Sequence, residues 1–202
     1  MPLLVWRLDA AMTVASTASV GGGLGARSWV LNAQVARDYG RLDLAAHGAE
    51  LAARCDVRGP GVVMLTAADV RRVQHGADGG VRVDATVGLS HPTWAADLDG
   101  AVSARPRPGT INVVVQVPVA LAPGALLNAL CTATEAKTQA LLEAGVPGTG
   151  TASDAMTILA PSGGVAEEFA GPRSEWGARV ARAVHAAVLA GALARDSAGY
   201  PR

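Results

Sequence analysis

Residues 110–119 alternate with a period of two. Ile111, Val113, Val115, Val117 and Val119 fall on one face, and Asn112, Val114 and Gln116 on the other. A strand with one wholly apolar face must be covered, so this stretch commits the chain to a sheet with something packed against it. The cover follows directly. After Ala122-Pro123-Gly124, residues 125–144 read as a helix closed by Gly145 and Pro147, with Leu126, Leu130, Ala133 and Leu141 along one side. Further strands are expected at 3–8, 12–17, 28–35, 62–66 and 156–160, and a hairpin pairs 70–74 with 81–87 around Ala77-Asp78-Gly79-Gly80. Ala67 to Val70 reads as the start of a short helix. Residues 43–54 read as an amphipathic helix. Ser174 suits the cap of a last helix, 175–194, with Trp176, Val180, Val184 and Val188 inward. The order of elements gives one compact domain over residues 1–202. Its class is α/β, with a mixed-sheet α+β arrangement as the variant, and its helices pack on a mixed β-sheet. No internal repeat or linker is evident in the sequence.

Composition narrows the function classes. Seventeen basic and seventeen acidic residues balance, and no basic patch or tail occurs, so nucleic acid is not expected as a partner. No run approaches the roughly 20 apolar residues of a membrane span. The first residues lack the basic and apolar regions of a signal peptide. Two cysteines, Cys55 and Cys131, are too few for a disulfide framework. A reduced, cytoplasmic setting is the expectation. No HExxH, HxH or CxxC spacing occurs, so no metal site is expected, and no Gly-x-Ser-x-Gly elbow is present.

Scarcity points to candidate residues. Lys137 is the one lysine among seventeen basic residues, and Asn112 is one of three asparagines. An ammonium is a compact point charge that a guanidinium does not replace. At about 100° per residue, Lys137 falls on the apolar side of its helix, where a charge must snorkel, pair or work. Asn128, Thr132, Glu135 and Gln139 form a neighbouring polar stripe. The stripe is either a solvated face or a pocket wall, on which Glu135 would act as general base and Lys137 as electrostatic stabiliser. The loop Gly148-Thr149-Gly150-Thr151-Ala152-Ser153-Asp154 offers hydroxyls and a carboxylate among glycines that let backbone approach a ligand. Residues 90–109 hold three prolines and read as a long loop carrying His91 and Trp94. Gly21-Gly22-Gly23-Leu24-Gly25 matches neither a dinucleotide fingerprint nor a P-loop. Close packing against a flat ligand or against a neighbouring strand explains it equally.

Taken in order, several runs resemble the adenosylcobinamide amidohydrolase family of corrinoid salvage. They are Gly21-Gly22-Gly23-Leu24-Gly25 with Trp29-Val30-Leu31-Asn32-Ala33-Gln34-Val35, Met64-Leu65-Thr66-Ala67-Ala68-Asp69-Val70, and Ala85-Thr86-Val87-Gly88-Leu89. Then come Pro108-Gly109-Thr110-Ile111-Asn112, Thr132-Ala133-Thr134-Glu135-Ala136-Lys137, and Gly148-Thr149-Gly150-Thr151 with Asp154. The likeness spans roughly residues 14–192. At position 153 this chain carries Ser where the family loop suggests Thr before the Asp. The resemblance implies hydrolysis of the aminopropanol amide of adenosylcobinamide. It implies a small-molecule corrinoid partner, with a homo-oligomer compatible, and no intrinsic cofactor, the cobalt belonging to the substrate. On that expectation Glu135, Lys137 and Asn112 are the catalytic candidates. Thr149, Thr151 and Asp154 complete the pocket, and Gly22, Gly23, Trp94 and His91 contact the corrin or its adenosyl group. Two other readings fit the residues. One is a Thr149 or Ser153 nucleophile acting on another acyl substrate, and the other is a non-catalytic corrinoid-binding module.

Overall fold

The computed structural model describes residues 1–97 and 109–194. Residues 98–108 of the expected proline loop lie outside them. Seven strands form one mixed sheet: β1 (Leu3–Ser16), β2 (Gly23–Gln34), β3 (Gly61–Thr66), β4 (Gln74–Asp78), β5 (Val81–Val87), β6 (Ile111–Gln116) and β7 (Ala155–Pro161). Three helices accompany it: α1 (Leu44–Arg54), α2 (Pro123–Glu143) and α3 (Glu175–Leu193). The strand order is β3-β2-β1-β7-β6-β5-β4. The pairs β2/β3 and β6/β7 are parallel, and each is bridged by a helix, as a parallel crossover requires. The domain is therefore of the mixed α+β kind.

One connectivity occurs twice. An antiparallel strand pair, a helix and a parallel strand run β1-β2-α1-β3, and again β5-β6-α2-β7. The sequence shows no repeat because topology needs only matching hydrophobic periods, not matching residues.

The sheet curls on itself. β2 and β5 stand four strands apart, about 19 Å in a flat sheet. Yet the Asn32 side chain on β2 donates to Thr86 Oγ1 on β5 at 3.0 Å, and Asn112 Nδ2 on β6 reaches the Leu65 carbonyl on β3 at 3.1 Å. Trp6 on β1 donates to Asp84 on β5 at 2.6 Å. Inside the curl lie Val14, Val30, Val62, Met64, Val114 and Leu159. Outside, α2 and α3 cover β5–β7 through Ile111, Val113, Val115, Leu126, Leu141, Val180 and Val184. Leu51 of α1 packs with Trp29, Leu31 and Val63 on the other half.

Local differences from the sequence reading have local causes. The two expected first strands are one long strand, whose register shifts between Arg7 and Met12. Residues Val70–Arg72 form a 3₁₀ turn capped by the Asp69 carboxylate, so the hairpin strand starts at Gln74. Pro118 ends β6 early, since it has no N–H for the ladder. At the end of α2, Gly145 adopts φ +68°, Val146 N donates to Leu141 O and Gly145 N to Leu142 O. That is a Schellman closure, which favours glycine. Ser174 Oγ accepts from Gly177 N at 3.1 Å and caps α3 as expected.

The buried amides of the curl make a testable joint. Asn112 Nδ2 donates to Asn32 Oδ1 at 2.9 Å as well as to Leu65 O. Asn112→Ala removes the donor to both oxygens and leaves them buried. Each such oxygen costs about 1–3 kcal/mol. We expect a total loss of about 2–4 kcal/mol, read by urea unfolding, and an unchanged midpoint would contradict this account of the curl.

Candidate functional site

Lys137 lies on the buried side of α2 with Ala133, Ala136, Ala140 and Leu141, as its helical position requires. Only 7% of its side chain is exposed. Its ammonium meets Asp154 Oδ2 at 2.6 Å. Asp154 closes the Gly148–Asp154 loop just before β7 and is surrounded by donors. Thr151 N lies 3.1 Å from Oδ2 and Ile111 N lies 2.9 Å from Oδ1. Thr151 Oγ1 lies 2.5 Å from Oδ1 and 2.7 Å from Gly109 O, so its single proton serves one of these two acceptors at a time. The pair is therefore a fastening. It ties α2, the loop and the first residue of β6 together at one point.

Gly150 explains how the fastening fits. A Cβ there would stand 2.4 Å from Asp154 Oδ2 and 2.5 Å from Lys137 Nζ. The glycine is present because the ion pair occupies the space a side chain would take. The loop is strapped on its other side to residues 93–95. Thr93 N donates to Gly150 O, Thr149 N donates to Thr93 O, and Ala95 N donates to Thr149 Oγ1, each at 2.9 Å. Gly148 allows that approach, since a Cβ would meet Thr93 O at 2.7 Å.

The fastened loop forms one wall of a cleft of about 550 Å³ at the mouth of the curl. Thr110, Ser153 and Asp154 line it from one side, Met64 and Thr66 from the end of β3, and Arg37, Tyr39 and Arg41 from the segment before α1. Ser153 Oγ lies 2.9 Å from Thr110 Oγ1. A second cleft of about 380 Å³ adjoins it, sharing Val35, Ala36, Arg37 and Ala67. Gln34, Asp69, Gln74 and Leu89 line that second lobe. The two lobes form one groove along the seam where the curled sheet nearly meets itself.

The groove's outer wall is held electrostatically. Arg41 bonds Asp43 at 2.6 Å and Glu50 at 2.7 Å. Arg41's hydrogen bond is the main cause holding the Asp43 carboxyl down, from an ordinary 3.8 to about 2, and it lowers Glu50 as well. Burial raises the Tyr39 phenol, and its hydroxyl lies 2.7 Å from His47 Nδ1. Depressed carboxyls stabilise the fold above their unfolded pKa, and that contribution is lost as pH falls through the folded value. Asp43's contribution should therefore be complete at neutral pH and disappear between about pH 4 and pH 2. Melting curves of the parent chain and of Arg41→Ala should converge across that interval. A gap that persists unchanged at pH 2 would contradict this.

The sequence candidates divide clearly. Lys137, Thr151 and Asp154 come together, with Thr149 in the strap beside them. Asn112 sits apart, buried inside the curl and in register with Ala155 of β7. Glu135 is exposed on the outer face of α2, in a shallow hollow with Thr134, Thr138, Gln139 and Glu143. Its helical angle points it away from the side that buries Lys137, so the geometry does not bring the two to one wall. The expected polar stripe is also divided, because Thr132 turns inward and donates to Ala170 O at 2.9 Å. Glu135→Gln exchanges an exposed carboxylate for its amide and should change stability by no more than about 0.5 kcal/mol; a larger shift of the urea midpoint would show that the carboxylate is held.

Gly22 and Gly23 line neither lobe. Gly22 is packed against the Ala18 and Ser16 carbonyls, and Gly21 against Gly61 O, where a Cβ would come within 2.2 Å and 1.9 Å. The strand-packing reading of that glycine run accounts for both contacts. Trp94 is half exposed and His91 half buried, and neither lines the groove. Thr110, Arg37, Tyr39 and Arg41 line it without having been singled out. Thr110 immediately precedes β6 and the other three lie between β2 and α1, so only the fold brings them together at the seam. Among the described residues no group of three His, Cys, Asp or Glu is placed to hold a metal ion, and no helix is long and apolar enough to cross a membrane.

Comparison with known proteins adds an independent line. The family model for adenosylcobinamide amidohydrolase matches residues 1–199. A Halobacterium salinarum protein named adenosylcobinamide amidohydrolase is 37% identical over 141 residues, covering 67% of this chain and 60% of that protein. A Methanosarcina mazei protein of the same name is 27% identical over 186 residues, 88% of each chain. The match to the first thus spans about three fifths of its length.

Proposed function

The chain belongs to the adenosylcobinamide amidohydrolase family, and from that premise we propose that it hydrolyses the amide joining the aminopropanol arm to the corrin ring of adenosylcobinamide. Water adds to the amide carbonyl, the C–N bond breaks and the nitrogen takes a proton. The products are adenosylcobyric acid and aminopropanol. The observation that carries this reading is the two-lobed groove walled by the fastened Gly148–Asp154 loop. Ligand sites of this class bury a large ligand in an apolar cleft with a few fixed polar groups. A corrinoid is broad and flat, with an apolar ring and a polar fringe, and an elongated groove with hydroxyls on one wall suits it.

Within this reading, Lys137 and Asp154 act by position. Their ion pair fixes the loop that carries Ser153, and Ser153 and Thr110 line the large lobe. Their hydroxyls meet at 2.9 Å and Ser153 Oγ donates to Gly109 O at 3.3 Å, so one of them turns from these partners to donate to the oxygen of the tetrahedral intermediate, whose developing charge is what an active site stabilises most. The reading requires no resident metal, since the cobalt arrives within the substrate.

The test is incubation of purified protein with adenosylcobinamide, with the visible spectrum followed for binding and free aminopropanol assayed after quenching. Stoichiometric release of the amine is expected. Binding without release would replace the enzyme by a corrinoid-binding module. A covalent acyl adduct on Ser153 in quenched samples would replace direct water attack by a nucleophilic mechanism.

A further inference from the structure

The inner face of the curl carries a row of amides that ends at the small lobe. Asn32 and Gln34 are two apart on β2, so their side chains point the same way, into the curl. Asn32 is bonded at both ends: its Nδ2 donates to Thr86 and its Oδ1 accepts from Asn112. The next amide in the row is different. Gln34 Oε1 is enclosed and has no hydrogen-bond partner among the described residues. Gln34 also lines the 380 Å³ lobe, at the C-terminal end of β2.

A buried carbonyl oxygen without a donor is unfavourable and rare in folded proteins. The backbone of Gln34 is not the reason, because it is held in the sheet opposite Thr66 and donates to Pro2 O at 3.0 Å. The last side-chain torsion of Gln is broad and roughly two-fold. Rotation about it exchanges which end of the amide, Oε1 or Nε2, faces the lobe, with no change in the strand. Asn112 Oδ1 is likewise unpartnered, but Asn112 lines no lobe of the groove, so no ligand reaches it in the same way. Gln34 is the orphaned acceptor at a cavity large enough for a ligand group.

We propose that Gln34 is a specificity-determining residue whose Oε1 accepts a hydrogen bond from an NH₂ group of the bound corrinoid. This rests on the reading of the groove given above. Two groups of an adenosylated corrinoid supply that chemistry: a peripheral carboxamide of the ring and the exocyclic amine of the adenine. Either one supplies the missing donor.

The experiment compares the parent chain with Gln34→Met, which keeps the side chain's length and removes its acceptor, and Gln34→Glu, which keeps an acceptor. Binding of adenosylcobinamide and of cobinamide carrying cyanide in place of adenosyl is measured by visible-spectrum titration, after circular dichroism has matched the folds. One lost hydrogen bond corresponds to about a tenfold change in dissociation constant. Gln34→Met should weaken adenosylcobinamide by about that factor, while Gln34→Glu stays within about threefold of the parent. Equal weakening of both corrinoids assigns the donor to a ring carboxamide, and weakening of the adenosylated one alone assigns it to the adenine. If the parent binds both corrinoids and Gln34→Met binds them equally well, the inference is overturned while the family reading stands. It is also overturned if Gln34→Glu falls as far as Gln34→Met. A parent chain that binds neither corrinoid overturns the family reading and this inference together.

Discussion

Replacing Lys137 by Met is expected to destabilise the fold by about 3–5 kcal/mol, the usual cost of breaking a buried pair by deleting one partner, and to reduce turnover more steeply than substrate affinity. The stability loss follows from what is left behind. Asp154 is 12% exposed and its charge faces the ammonium at 2.6 Å. With Met at 137 that charge is buried beside an apolar chain without its counter-charge. Moving it toward water loosens the carboxylate from Thr151 and Ile111, and the loop loses its tie to β6. Lys137→Arg is the sharper probe. The guanidinium keeps the charge but is larger and planar, and the space around Nζ is already so narrow that a Cβ at Gly150 would stand 2.5 Å away. Arginine should therefore fail to restore activity, although a lysine that merely snorkelled would accept it. Urea midpoints and steady-state kinetics on both variants check this. Arginine restoring full turnover would show that only charge matters at this position.

The second large effect is expected at Gly150. Gly150→Ala adds one methyl group at 2.4 Å from Asp154 Oδ2 and 2.5 Å from Lys137 Nζ. Neither neighbour can yield freely, since the ammonium is enclosed and the carboxylate is bonded on both oxygens. Overpacking of this kind costs about 1–3 kcal/mol, and here it acts through the ion pair. The distinguishing result is coupling. Residues in one network give non-additive effects, so Gly150→Ala should cost markedly less in a Lys137→Met background, where the shared pair is already lost. Equal cost in both backgrounds would mean that the alanine disturbs the Thr93 strap and not the ion pair. Denaturant unfolding of the two single variants and the double variant decides between them.

What the sequence makes legible follows from the range of each signal. The period-two run at 110–119 and the helical stripe of α2 are local; the strand keeps its expected faces over Ile111–Gln116 and stops before Pro118, and the helix buries the expected side. The burial of Lys137 was legible for the same reason, because a helical angle is a local quantity. Its partner was legible only as a loop residue of interest. Nothing in the spacing of 137 and 154 says that one carboxylate gathers donors from a helix, a loop and a strand. Glu135 shows the opposite case. Two positions from Lys137 in sequence, it shares a motif with it, yet a helix turns it to the outer face. The curl of the sheet was not legible at all. It depends on contacts such as Asn32 with Thr86 and Trp6 with Asp84, between strands four and three places apart in the sheet. The groove lies along the seam that the curl creates, so most of its lining was out of reach of any one-dimensional pattern.

The most direct measurement of the central claim is the mass of the corrinoid after incubation of adenosylcobinamide with this protein in ¹⁸O-labelled water. Hydrolysis of the aminopropanol amide predicts adenosylcobyric acid carrying one ¹⁸O in its new carboxylate, with the Lys137→Met protein producing little of it. Recovery of adenosylcobinamide at its original mass, from folded parent protein, would contradict the proposed activity.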